Sequence, residues 1–248
     1  MIDPKLIVLA IYFSVLLGIG FFASKRIVNI SDYYVGGKKL GYWIAALSAR
    51  STGESGWLLI GVTGMGALMG VSALWIVVGE VLGVFISWQF MAKKFKRMTD
   101  EYNSITIPDF LVSHFRSSTN SIRIISAAAL SIIVVIYVSA QIDVTGKTFE
   151  SFLGFNYYTG ITIGFGIVVL YIFSGGFLAV AWSDFFQGSL MFVGLLLLPI
   201  VAYFSLSTED SFISGLYALD PALLNIWGPG GFSLLNFVTV VGLVSIGI

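Results

Sequence analysis

Residues 41–70, GYWIAALSARSTGESGWLLIGVTGMGALMG, form an apolar run interrupted at its centre by Arg50-Ser-Thr-Gly-Glu54-Ser-Gly56. About 20 helical residues cross the hydrocarbon core of a bilayer. The run is longer than that, so it places a cation, a carboxylate, hydroxyls and glycines near bilayer depth. Each charged group there costs at least ~2.5–3.5 kcal/mol on insertion scales, so such groups face a cavity or one another. The segment reads as a discontinuous helix whose unwound centre offers backbone groups to an ion or solute. Any fold of this chain has to accommodate that interruption.

Composition agrees that the solvent is lipid. Apolar residues make up 57% and charged residues 10% of the 248 positions, against about 25% charged in soluble domains. The mean hydropathy is +0.95. Thirteen basic and thirteen acidic residues cancel, which removes the electrostatic basis for a nucleic-acid partner. With no cysteine and one histidine, thiolate metal sites, disulfides and multi-histidine centres are excluded. No nucleophile stands near a base and no phosphate loop is present, so the chain does not read as an enzyme.

Seven apolar stretches can be marked, at 5–24, 41–70, 72–92, 122–146, 157–174, 177–206 and 232–248. The first is too long in its apolar core, and lacks the cleavage site, for a signal peptide. Lys25, Arg26, Lys38 and Lys39 follow the first stretch; Lys93, Lys94, Lys96, Arg97, Arg116 and Arg123 follow the third. These loops are separated by an even number of spans, so the positive-inside rule puts the N-terminus outside. Pro108 is expected at the first position of a short interfacial helix. SGGF at 174–177 is expected to be a tight cytoplasmic turn between two spans. The loop 207–231 carries Glu209, Asp210, Asp220 and the turn-forming GPGG at 228–231. The chain is apolar up to Ile248, which reads as a fragment of something longer, because a span left unfinished in lipid leaves carbonyls unsatisfied.

Several polar positions lie at membrane depth. Glu54 can pair with Arg50 at i,i+4, or act as a cation or solute ligand beside the break. Asp184, in AWSDFFQGSL with Ser183 and Gln187 nearby, is either a carboxylate reaching for interfacial water or an oxygen ligand for a hard cation such as Na+. Tyr137 and Gln141 share one helix face at i,i+4 and can line one cavity. Asp143 approaches the external end, where water can solvate it. Glu80 reads as a hydrogen-bonded packing carboxyl with a remote functional alternative. Of the tryptophans, only Trp57 abuts the break.

Taken in order, SDYYVGGKKLG (31–41), ALSARSTGESGWLLIG (46–61), EYNSITIPDF (101–110), YIFSGGFLAVAWSD (171–184) and LNFV (235–238) resemble the sodium:solute symporter family, most closely its sodium/proline branch. GGFLA followed by WSD is the specific signal. The resemblance implies an all-α membrane protein with an inverted-repeat transporter fold and a discontinuous first core helix. On that map 1–248 is a single transmembrane domain, truncated. Residues 5–24 are an extra N-terminal helix, 41–206 the first five-helix repeat, and 232–248 the start of the second. Backbone carbonyls of Ser51 and Glu54, with Asp184, would serve Na+. Glu54, Ser55, Gly56 and Trp57 would line the solute pocket, with Tyr137 and Gln141 across from them. Where the proline branch carries an aspartate important for sodium, this chain has Gly53, with Glu54 one residue on; a proline-holding tryptophan of that branch aligns near Ile246. The hydroxyl ligands of the family's sodium site lie on a later helix, outside this sequence.

The function expected from these features is a cation-coupled secondary transporter importing a small organic solute, with proline or another amino acid as candidates. It needs no cofactor beyond Na+ as coupling ion, and its partners are the solute, Na+ and the bilayer in a multi-pass cell-membrane protein. H+ is the alternative coupling ion. The alternative classes are a symporter-like sensor domain of a signalling protein, which appended signalling modules would reveal, and a transport-incompetent fragment.

Overall fold

The computed structural model describes residues 3–38, 40–205 and 212–247. Lys39, Glu209, Asp210 and Ile248 lie outside the described residues. Every regular element described is helical. The chain begins with α1 (Pro4–Ser24), where Asp3 caps the first turn by accepting from the Lys5 amide and Pro4 occupies the start. The short α2 (Ile30–Val35) is held by a reciprocal capping box between Asn29 and Asp32. α3 (Tyr42–Gly53) follows, then a π-helical turn at Trp57–Val62 and α4 (Thr63–Met69). Next come α5 (Leu74–Ile86), a second π-helical turn at Ser87–Ala92, α6 (Lys93–Glu101) and α7 (Ile107–His114). The remainder is α8 (Ser121–Leu153), α9 (Tyr157–Ser205), α10 (Phe212–Leu219) and α11 (Leu234–Gly247). Pro108 lies in the first turn of α7, one place later than expected, because Thr106 is the cap that accepts from the Asp109 amide.

Among the described residues, four helical runs are long and apolar enough to cross a membrane: Pro4–Ser24, Ile60–Glu101, Ser121–Leu153 and Tyr157–Ser205. The centre of α8 shows why water is the wrong solvent for them. Ile132 through Ile136 are each 53–67% exposed, an unbroken apolar band that a soluble protein would have to cover. Against lipid the band needs no cover, and the helix satisfies its own backbone.

Two of the four runs are broken by glycines at conformations closed to other residues. A straight α9 would rise about 74 Å, more than twice the hydrocarbon core. It is interrupted at Gly176, with φ 52° and ψ −148°, inside the SGGF turn expected from sequence. Gly70 ends α4 with φ 61° and ψ −138°, dividing Ile60–Glu101 where the sequence separates its second and third apolar stretches.

The chain forms two compact units. One comprises residues 1–55 and 102–192, the other 56–101 and 193–248. In the first, Leu16, Ala23, Tyr171 and Ala179 make the buried core between α1 and α9. Tyr171 lies directly on Gly20, where a β-carbon would come within 2.8 Å of the tyrosine's own; small residues of this kind let membrane helices approach closely. Gln187 donates from Nε2 to the Tyr12 hydroxyl at 2.7 Å. Before Gly176, α9 advances along α1 in the same sense, from Tyr171 on Gly20 to Gly175 against Ala23, where a β-carbon would lie 2.9 Å from the alanine's own; after it, Gln187 has moved back to Tyr12. The chain has reversed at Gly176. Asp143 does not simply face water: it accepts from the Tyr157 hydroxyl at 2.8 Å and from Lys147 at 2.6 Å, tying α8 to α9.

In the second unit α5 packs on α11, and the pivot is Gly79. A side chain there would collide with the Val244 backbone, its carbonyl carbon included at 2.8 Å. The half-buried Glu80 belongs to the same helix pair. Trp75 donates from its indole to the Ile226 carbonyl at 2.8 Å and packs on Trp227. Gly79→Leu is expected to cost about 1–3 kcal/mol through overpacking, lowering the midpoint of a fluorescence thermal melt by several degrees. An unchanged midpoint would show that close α5–α11 packing contributes little to stability.

Candidate functional site

The interruption read in the sequence is a backbone break. α3 ends at Gly53, and Glu54 turns to extended geometry with φ −73° and ψ 135°. Ser55 is non-helical, and the π-helical turn begins at Trp57. The Glu54 amide closes the helix by donating to the carbonyls of Arg50 at 3.3 Å and Ser51 at 3.1 Å. A helix end carries partial negative charge, and Arg50 in the last turn is placed to balance it. Arg50 also forms the i,i+4 ion pair with Glu54. The Glu54 side chain is the more enclosed of the two, 16% exposed against 44% for Arg50.

One turn inside the break, α3 is tied to α9. Asp184 Oδ2 accepts from the Ser48 hydroxyl at 2.7 Å. The Ser51 hydroxyl donates to the backbone carbonyl of Asp184 at 3.1 Å. Thr52 turns back to the Ser48 carbonyl at 2.8 Å, completing a polar strip on one face of α3. Asp184 Oδ1 has no hydrogen-bond partner among the described residues. A half-buried carboxylate with one oxygen fixed and the other available, beside hydroxyls and a broken helix end, is an oxygen-rich environment suited to a small hard cation.

The structure thus brings together Ser51 and Asp184, two of the three residues expected to serve the ion, with Glu54 one turn further along the chain from Arg50. Ser48 is a participant not expected from sequence. Its signal was its place three residues before Ser51 on the same helical face, but its partner lies 136 residues away. Ser55 ends the first unit, while Gly56 and Trp57 open the second. There the Trp57 ring lies over Gly61, and the tryptophan is 48% exposed.

Gln141 lines a pocket of about 340 Å³ with Tyr12, Phe13, Thr145, Phe149 and Gln187 among its walls, which come from α1, α8 and α9. Tyr137 is absent from that wall and 48% exposed. Val138, rather than Tyr137, is Gln141's companion on the cavity face.

The family model described as the sodium:solute symporter family matches residues 33–247. The chain is 40% identical over 226 residues to the high-affinity proline transporter PutP of Bacillus subtilis, covering 91% of this chain and 47% of that one. It is 37% identical over 235 residues to the osmoregulated proline transporter OpuE of the same organism, covering 94% and 48%. A sodium/proline symporter of Staphylococcus aureus is 35% identical over 244 residues, covering 98% and 46%. The chain spans about half the length of these relatives. No solved structure matches significantly. On the extent of the family match and the identity to these relatives, the chain belongs to the sodium:solute symporter family.

Proposed function

We propose that this chain carries the ion-coupling elements of a Na+-driven secondary transporter that imports a small organic solute. The carrying observation is the Asp184 carboxylate, held by Ser48 at 2.7 Å with Ser51 on its backbone carbonyl, one turn from the broken end of α3. In this reading Na+ is the coupling ion, taken up by Asp184 and by the backbone carbonyls of Ser51 and Glu54. The solute contacts Glu54, Ser55, Gly56 and Trp57 around the break, with Tyr137 opposite. Gln141, which faces the α1 cavity, is the least needed of the expected pocket residues. The architecture that fits is an extra helix at 5–24, a first repeat over 41–206 and the start of an inverted second repeat at 232–248, within one transmembrane domain whose N-terminus is outside.

Coupling then follows from differential affinity. Na+ binds the outward-open state better than the inward-open one and bridges the broken end of α3 to α9. The solute binds the bridged site more tightly, and closure carries both across. The three relatives are proline transporters by name, which makes proline the first solute to test. Gly53 and Ile246 extend the test to other amino acids, sugars and carboxylates.

Equilibrium binding of radiolabelled proline and this panel to the intact protein provides the test. Replacing K+ by Na+ is expected to tighten binding of the true solute by roughly tenfold or more, within the usual range of coupling free energies. Glu54→Gln removes the carboxylate of the Arg50 pair and is expected to weaken solute binding about tenfold, with Trp57→Ala acting in the same direction. Binding indifferent to Na+ for every solute would defeat the proposal.

A further inference from the structure

Beyond transport, the basic face of α6 stands out. Leu74–Glu101 is helical throughout, with the π-helical turn at Ser87–Ala92 inside it. It rises about 42 Å, roughly 12 Å more than the hydrocarbon core. A crossing that begins at Leu74 leaves that excess to α6, which then carries Lys93, Lys94, Lys96 and Arg97 to the depth of the phosphates. Trp88, 52% exposed one turn earlier, sits where an interfacial tryptophan belongs.

The two faces of α6 are sharply different. At 3.6 residues per turn, Lys93, Lys94, Lys96, Arg97, Asp100 and Glu101 fall within about 160° of arc, and Phe95 and Met98 occupy the opposite side. All four basic residues are exposed. Lys96 pairs with Asp100. Among the described residues Lys93, Lys94 and Arg97 have no ion-pair partner.

We propose that α6 is a binding site for anionic phospholipid headgroups, with Lys93, Lys94 and Arg97 on the phosphates and Phe95 and Met98 at the acyl boundary. Charge complementarity and depth select this occupant. A basic amphipathic segment continuous with a span lies in the headgroup layer, and each basic residue near an anionic surface is worth about fivefold in association.

The test uses the 248-residue chain in mixed phosphatidylcholine bilayers, with spin-labelled phosphatidylglycerol or phosphatidylcholine as the probe. The fraction of each lipid immobilised at the protein is read by electron spin resonance. Phosphatidylglycerol is expected to be preferred by roughly fivefold, one uncompensated charge's worth. The preference should collapse in ~1 M KCl, where the screening length is about 3 Å. It should fall below about twofold in the K93Q/K94Q/K96Q/R97Q variant. The K25Q/R26Q variant should retain most of it, because Lys25 is engaged over Phe21 and Arg26 over Trp182. Equal retention of the two lipids by the unaltered chain would overturn the proposal and point instead to an acidic protein segment as the occupant. A preference insensitive to KCl would overturn it whether or not the fourfold variant folds.

Discussion

If the proposed Na+ site is right, Asp184→Asn is expected to lower the apparent Na+ affinity of the intact protein by roughly 10–100-fold, the range seen when a residue supporting an ion site is lost. Asparagine keeps an oxygen to accept from Ser48 but removes the charge, so the tie between α3 and α9 survives while attraction for the cation does not. Ser48→Ala is the complementary change. It keeps the charge and deletes the 2.7 Å bond that fixes Oδ2, and its effect on Na+ affinity is smaller. If Asp184 only held α3 to α9, the order would reverse: Asp184→Asn would be mild, and Ser48→Ala would lower the thermal midpoint as much. A Na+ titration of solute binding on both variants, beside their melting curves, separates the two roles.

Gly176→Val abolishes the hairpin. The position combines φ 52° with ψ −148°, a region open in practice to glycine alone, where another residue costs of order 1–3 kcal/mol. Space is refused as well: a β-carbon would lie 2.6 Å from the Tyr33 carbonyl oxygen and 2.8 Å from its ring. Since the turn brings Asp184 back alongside α3 and Gln187 back to Tyr12, the site fails with the fold. The expected result is aggregation or loss of monodisperse protein on size-exclusion chromatography. Gly166→Val, in a helical stretch of α9 with open space around it, should leave the elution profile intact. Normal folding of Gly176→Val would show that the reversal has another cause.

The parts of the fold visible in the sequence are those with a local energetic signature. The break after α3 shows because a charged, glycine-containing insert is too costly to leave on a straight, lipid-facing helix. The reversal at SGGF shows because the two stretches flanking it are together too long for one crossing. Helix ends were less legible. α8 runs on to Leu153, past the apolar stretch ending at 146, because the left-handed Gly154 terminates it and not the loss of apolarity. Pairings across the chain were not legible either. Ser48 with Asp184, Tyr12 with Gln187 and Tyr157 with Asp143 all depend on which helices the turns bring together. An i,i+4 spacing defines a face without naming its neighbour. Gln141 illustrates it: on the wall of its cavity its companion from α8 is Val138.

For the candidate site, the break and the family resemblance point to Ser51, Glu54 and Asp184. The structure adds Ser48 as the group that orients Asp184, and shows Glu54 engaged with Arg50. The carboxylate nearest the break is thus neutralised by its neighbour, while the carboxylate on α9 keeps one oxygen available. In the proposed site, Asp184 is therefore the residue that offers a carboxylate oxygen to the ion, while Glu54 offers its backbone carbonyl.

Coupling to sodium is tested by uptake of proline into proteoliposomes of the intact protein. With an inward Na+ gradient, accumulation is expected to rise well above the level reached with K+ in its place, and to be lost when an ionophore dissipates the gradient. Accumulation that is unchanged without Na+ and instead follows an imposed pH gradient would contradict sodium coupling and give the coupling role to the proton.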